Sequence, residues 1–210
     1  MTHTDMDDPP APLERGGKAN ARREKVVQAA RNLFAEQGFH ATGMAAISQA
    51  SGVLVGQVYR DFANKEAIVA AIVERDLDEY LREGELHETC ACDDPAAVRA
   101  WIARFVACSD IPDRRLIAEI MAEAARNVRV ADIFRAVDAR LSGRLVEAFH
   151  ILAPAADARR IDCVAETIMV LSGGIFHHRL GNDGAIDDAV LERLLNITAN
   201  EIDALVASST

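Results

Sequence analysis

Residues 43–62 read GMAAISQASGVLVGQVYRDF, and the fold turns on how these twenty residues are understood. Met44, Ile47 and Ala50 recur at helical spacing and predict a short helix with one buried stripe. Ser51-Gly52-Val53 reads as a turn whose glycine can take a positive φ. The segment from Leu54 to about Asp61 is a weak helix former, carrying β-branched valines and a glycine, yet it follows at once. Two short helices around a three-residue turn predict a helix-turn-helix. The second helix of such a pair lies in the major groove, which accounts for its composition. Val53 and Val58 suffice to anchor the inner face, and Gly56 lets the outer face come close to DNA. Gln57 can hydrogen-bond base edges, most naturally adenine N6 and N7, while Tyr59 and Lys65 can donate to phosphates. A purely structural helical hairpin has the same spacing, so the flanking sequence has to decide.

Upstream, Val26, Val27, Ala30, Leu33 and Phe34 define one apolar face of a helix expected from Asn20, with Gly38 as its stop. Downstream, Asn64 can cap a helix that carries Ile68, Ile72, Leu77 and Leu81. The window 23–73, REKVVQAARNLFAEQGFHATGMAAISQASGVLVGQVYRDFANKEAIVAAIV, closely resembles the DNA-binding domain of the TetR (tetracycline repressor) family. That family's pattern is a helix ending in A..LF...G, a Thr-rich start, then IA..AGVS.G.LY.HF..KE.L. The matching residues are Ala30, Leu33, Phe34, Gly38, Thr42, Ile47, Ala50, Gly52, Val53, Gly56, Tyr59, Phe62, Lys65 and Glu66. The resemblance implies phosphate contacts at Thr42, Tyr59 and Lys65, and a groove-facing set of Val55, Gly56, Gln57 and Arg60. Three departures stand out. Leu54 replaces a Ser N-cap, so the helix is expected to fray without DNA. Gly43 replaces a second Thr or Ser. Asp61 replaces a His, Tyr or Asn near the backbone, and is expected to pair with Arg60 or Lys65, or to accept from a cytosine N4.

The charge distribution agrees with a DNA partner although the total does not. The chain carries a formal net charge of −10. Residues 18–65 nevertheless hold seven Lys or Arg against three acids. A basic N-terminal segment on an acidic body is a partner signal. Residues 1–17, acidic and rich in Pro and Gly, are expected to be disordered. They lack the charged start and apolar run of a secretory signal, and no apolar run approaches the roughly 18 residues of a membrane span. A cytoplasmic protein with reduced thiols and no membrane partner is expected.

The remaining chain reads as further helices with no period-two alternation. The expected fold is all-α with about nine helices: a disordered tail over 1–19, a three-helix DNA-binding domain over 20–80 with its helix-turn-helix at 43–62, and a larger domain over 81–210. Within the TetR resemblance, the larger domain binds a small molecule and dimerises, and AEAARN followed by VDARL is reminiscent of multidrug-efflux regulators. Large residues on the middle helices are pocket candidates for a hydrophobic or aromatic effector: Trp101, Phe105, Met121, Phe134, Phe149, Met169 and Phe176, with His177 as a possible hydrogen-bonding partner. His177 and His178 are adjacent and point about 100° apart on a helix, so they cannot easily share a metal. His87, Cys90 and Cys92 form a further cluster that could bind a soft metal or act as a redox switch, the alternative to a small-molecule effector. No G-x-S-x-G, Walker A, H-E-x-x-H or Rossmann pattern occurs, so neither an enzyme nor a bound cofactor is expected.

Overall fold

The computed structural model describes residues 12–83, 94–109 and 113–208. Among these residues the chain forms nine helices and no strand. It divides into two compact units between Ile72 and Val73, a point inside the fourth helix.

The first unit contains α1 (Pro12–Gln37), α2 (Met44–Ser51), α3 (Val55–Asp61) and the start of α4 (Lys65–Glu83). Helix α1 ends where Gly38, at φ 83°, donates to the Phe34 carbonyl at 3.0 Å. Helix α2 ends at Gly52, which takes a left-handed φ of 67°. A side chain is strained in that conformation, so glycine suits both stops. Asn64 caps α4, its Oδ1 accepting from Ala67 N at 2.8 Å. Phe34, Ile47, Val58 and Ile68 are fully buried and join the four helices in one core. Val58 anchors α3 there, and truncating it to Ala costs on the order of 2 kcal/mol in lost burial and cavity. An isolated seven-residue helix would be unstable in water, so α3 exists because its neighbours hold it.

Helix α1 begins eight residues before the expected Asn20, so residues 12–19 are helical where a disordered tail is expected. The sequence signal fails there because residues 12–19 have no repeating apolar face. Pro12 opens the helix, a position where its missing N–H has no intrahelical partner to lose.

The second unit contains the rest of α4 and α5 (Pro95–Ala107), α6 (Arg114–Ala124), α7 (Val128–Leu152), α8 (Ala158–Gly181) and α9 (Asp188–Ala207). Each of α5 to α9 starts at an Asp or Asn whose side chain accepts from a first-turn amide: Asp94, Asp113, Asn127, Asp157 and Asp187. Helix α8 is central, packing against α5, α7 and α9. Its buried stripe, Ile161, Val164, Ala165, Ile168 and Ile175, meets Ile102 and Phe105 of α5 and Leu145 and Phe149 of α7. No described helix is long and apolar enough to cross a membrane.

Candidate nucleic-acid interface and ligand cavity

Helix α3 turns Val58 inward and a mixed face outward. Leu54 is 73% exposed, Val55 46% and Tyr59 53%. Gly56 and Arg60 are exposed, and Gln57 is half-buried. A Cβ added at Gly56 would meet nothing within 4 Å. Glycine in a helix interior costs roughly 0.5–1 kcal/mol relative to alanine. Nothing among the described residues requires that cost. At the N-terminus, Leu54 occupies the capping position and supplies no side-chain hydrogen bond.

The turn between α2 and α3 is tied by two serines. Ser48 Oγ donates to the Val53 carbonyl at 2.6 Å, Ser51 Oγ donates to the Ser48 carbonyl at 3.2 Å, and Val53 N donates to Ser51 Oγ at 3.3 Å. These bonds fix how α3 leaves α2. The serines are a functional detail that pattern matching passed over, although Ser and Gly together at a turn were the available signal.

The structure resolves the acid at position 61. Asp61 does not pair with Arg60 or Lys65 and does not face outward. Its side chain is 8% exposed and takes a two-pronged bond from Arg22 of α1, Nε to Oδ2 at 2.6 Å and Nη2 to Oδ1 at 2.8 Å. Arg23 Nη1 donates to the Asp61 carbonyl at 2.8 Å, and its guanidinium lies 4.4 Å from the centre of the Phe62 ring. The Arg22 hydrogen bonds hold the Asp61 carboxyl below the usual carboxylate range, against the opposing effect of burial. Two consecutive arginines of α1 therefore clasp the end of α3. The sequence held no spacing signal for this pair, because its members lie 39 residues apart.

Two residues expected at phosphates hold bonds within the chain. Thr42 is fully buried, and its hydroxyl donates to the Gly38 carbonyl at 2.9 Å and approaches the Leu33 carbonyl at 3.3 Å. The hydroxyl is thus committed to closing the end of α1. Lys65 directs its ammonium onto Phe39, donating to that carbonyl at 2.6 Å and lying 4.2 Å from the ring centre. This ties the start of α4 to the loop after α1. Val55, Gly56, Gln57, Tyr59 and Arg60 remain together on α3 and its outer edge.

The second unit holds a cavity of about 380 Å³. Of the expected pocket residues, Phe105, Met121, Phe134, Met169 and Phe176 line it. Trp101 and Phe149 do not: both are buried in the core, Trp101 stacking on Phe105 with ring centres 5.5 Å apart. His177 is exposed and also lies off the cavity, because its position on α8 faces away from the stripe containing Ser172 and Phe176. The sequence reading missed the polar lining residues Asp76, Tyr80, Cys108, Asp138 and Ser172. They occur singly, and only packing brings them together. Cys108 sits at a left-handed φ of 48°, with its Sγ 3.1 Å from Ser172 Oγ. Burial pushes this thiol up from its ordinary value, and the Ser172 hydrogen bond only partly opposes the shift. The thiol is therefore protonated at neutral pH and a poor nucleophile. His87, Cys90 and Cys92 lie outside the described residues. Among the described residues, no three His, Cys, Asp or Glu side chains are grouped to hold a metal ion.

A short helix with an outward, locally unfavourable face, set by a tied turn against a longer helix, defines a helix-turn-helix protein. Residues 26–72 match the sequence profile described as bacterial regulatory proteins, tetR family. The similarity to the tetR family thus covers the helix-turn-helix segment of the chain. It is 32% identical over 121 residues to the HTH-type transcriptional regulator UidR of Escherichia coli K12, covering 56% of this chain and 59% of that protein. It therefore spans less than two thirds of that relative. It is 39% identical over 71 residues to the HTH-type transcriptional repressor KstR2 of Rhodococcus jostii, covering 34% of each chain. The fold is also that of Salmonella enterica GusR, with a TM-score of 0.66 at 23% identity over 87% of this chain and 96% of that one. A transcriptional regulator structure from Pseudomonas aeruginosa PAO1 gives 0.70 at 16% identity, over 90% and 91%.

Proposed function

We propose that the chain is a ligand-responsive transcriptional repressor that binds a pseudo-palindromic operator as a homodimer and is released by a hydrophobic or aromatic small molecule. The observation that carries this reading is the outer face of α3. Gly56 and Leu54 weaken the helix locally, and no described neighbour explains either residue. A duplex lying against that face does explain Gly56, because a bare backbone permits close approach. Gln57 and Arg60 supply donors for base edges, and Tyr59 a donor for phosphate.

Support for a dimer comes from α8 and α9, which expose Val170, Val190 and Ile197. Val190 and Ile197 are seven residues apart and share one face of α9. Two such faces packed about a two-fold axis would form a four-helix bundle, and the operator's symmetry would mirror it. Support for an effector comes from the cavity, whose size and apolar lining suit a small molecule. Helix α4 is the covalent element common to both units. It begins in the first unit at Lys65, and Val73, Asp76, Leu77 and Tyr80 farther along it line the cavity. Release requires that the ligand bind the DNA-competent and DNA-incompetent states unequally.

A salt-titrated mobility shift with the fragment upstream of the protein's own reading frame tests this reading. Binding to a pseudo-palindrome that weakens steeply with salt is the expected result, because phosphate contacts release counterions. Salt-insensitive binding, or no binding to any pseudo-palindrome, would overturn it.

A further inference from the structure

Positive charge in the first unit gathers where α1 meets α3. Arg22, Arg23 and Arg60 all lie close enough to act on the Asp61 carboxylate. Three guanidiniums around one carboxylate leave a surplus of two positive charges at the end of α3. Arg22 holds that carboxylate, while Arg23 bonds a carbonyl and lies against the Phe62 ring, neither of which cancels its charge. Lys18 and Lys25 stand four residues before and three after Arg22, so the three share one face of α1. Both lysines are exposed, and neither makes a hydrogen bond or ion pair with any described residue. Glu24 is the only acid from residue 17 to residue 35, and its position, two residues from Arg22, falls about 160° round the helix from it. Beside Lys18, Gly17 is exposed inside the helix, and a Cβ added there would meet nothing within 4 Å. It repeats the feature seen at Gly56: a glycine that weakens a helix with no described neighbour to require it.

A helix face with cations, no acid and a stretch of bare backbone fits a polyanion, although the chain as a whole carries a net charge of −10. The Arg22 bond to Asp61 makes this face continuous with α3, and Lys18 lies about 6 Å farther along α1. We propose that α1 is a second DNA-contacting element, in which Lys18 and Lys25 donate to backbone phosphates that flank the bases facing α3. This rests on the reading of α3 as the DNA-facing helix and widens its footprint. Contacts of this kind add affinity without reading sequence.

The test compares the full-length protein with the double variant Lys18→Gln/Lys25→Gln on two duplexes, the fragment upstream of the protein's own reading frame and a random-sequence duplex of equal length, from low to high salt. A dimer loses two phosphate contacts for each lysine engaged, so the slope of log K against log salt should become shallower by about 1.8 per lysine. Affinity for both duplexes should fall together, leaving their ratio within about twofold. Thermal melts should coincide, because neither lysine bonds a described residue. Arg115→Gln/Arg129→Gln removes the same charge from exposed positions of the second unit and should leave the slope within about half a unit. A slope change below about one unit in the lysine variant, or an equal change in the arginine control, overturns the contact while the reading of α3 stands. Loss of the preference between the two duplexes would place the lysines' effect on α3 and equally overturn it. If the natural protein binds no pseudo-palindrome, the reading of α3 falls, and this inference with it.

Discussion

Replacing Leu54 with Ser should stabilise the recognition helix, and the structure supplies its own controls for the size of the effect. Leu54 sits at φ −56°, ψ 136°. Asp157 and Asp187, at the starts of α8 and α9, sit at φ −60°, ψ 132° and φ −62°, ψ 131°. Both aspartates accept first-turn amide hydrogen bonds, Asp157 from Arg160 N at 3.3 Å and Asp187 from Ala189 N and Val190 N at 3.0 and 3.2 Å. The backbone at Leu54 is therefore already in a capping conformation and lacks only the acceptor. A serine hydroxyl there contributes about 1 kcal/mol. Against this stands the lost burial of Leu54, which is 73% exposed. The covered quarter of a side chain whose full burial contributes about 2 kcal/mol amounts to roughly 0.5 kcal/mol. The net gain is about 0.5 kcal/mol, raising Tm by about 1–4 °C depending on whether the whole chain or the first unit alone melts cooperatively. Leu54→Ala loses the packing without adding an acceptor, so it should fall about 0.5 kcal/mol below the natural protein and about 1 kcal/mol below Leu54→Ser. Thermal melts of the three proteins, with hydrogen exchange of the 55–61 amides, measure both differences. If the serine variant melts no higher than the alanine variant, the capping argument is refuted.

Gly56→Ala should raise folded stability by about 0.5–1 kcal/mol, since an added Cβ meets nothing in the protein. In a mobility shift the same variant should bind operator DNA several-fold more weakly, and equal or tighter binding would remove the reason given for the glycine. Asp61→Asn should lower Tm at pH 7 by breaking the Arg22 clasp. Because the folded Asp61 carboxyl is depressed, its contribution is present above the ordinary carboxylate range near pH 3.9 and is lost only as pH falls through the lower folded value. The gap between variant and natural protein should therefore hold from pH 7 to pH 5 and close only in strong acid, and a gap that closes by pH 5 would contradict the assignment. Gln57→Ala should relax preference at one base position by about 1–3 kcal/mol, whereas Tyr59→Phe should weaken all sites alike by about 1 kcal/mol. Binding to an operator panel separates the two, and an unchanged preference in Gln57→Ala would remove Gln57 from the groove.

Most of the fold was legible because its signals are local. Ile47 and Val58 sit where helical periodicity puts a buried stripe, Gly38 and Gly52 mark the stops of α1 and α2, and Asn64 caps α4. The differences in the site share a cause. Asp61, Thr42 and Lys65 carry the groups expected of DNA contacts, yet each also bonds a partner distant in sequence or a carbonyl at a helix end. A residue pattern gives the type of side chain at a position but not the direction in which it turns. The cavity shows the same division. Phe105, Phe134 and Phe176 were recognisable as large residues on middle helices, but Trp101 and Phe149 have the same character and differ only in which way their helix faces. Asp138 had no sequence signal, since a single acid on an amphipathic helix normally reads as solvent-facing.

The clasp between α1 and α3 bears on how operator preference can be exchanged between relatives. A seven-residue recognition helix looks like a cassette, replaceable with the helix of another family member. Position 61 is the last residue of that cassette, and its carboxylate is the counterpart of Arg22. A transplanted helix ending in another residue would leave the Arg22 guanidinium without its partner, and only the Arg23 bond to the position-61 carbonyl would still tie the graft to α1. On the proposed reading of α3 as the DNA-facing helix, the unit of specificity is discontinuous: residues 55–61 travel together with position 22, and a successful swap has to move both.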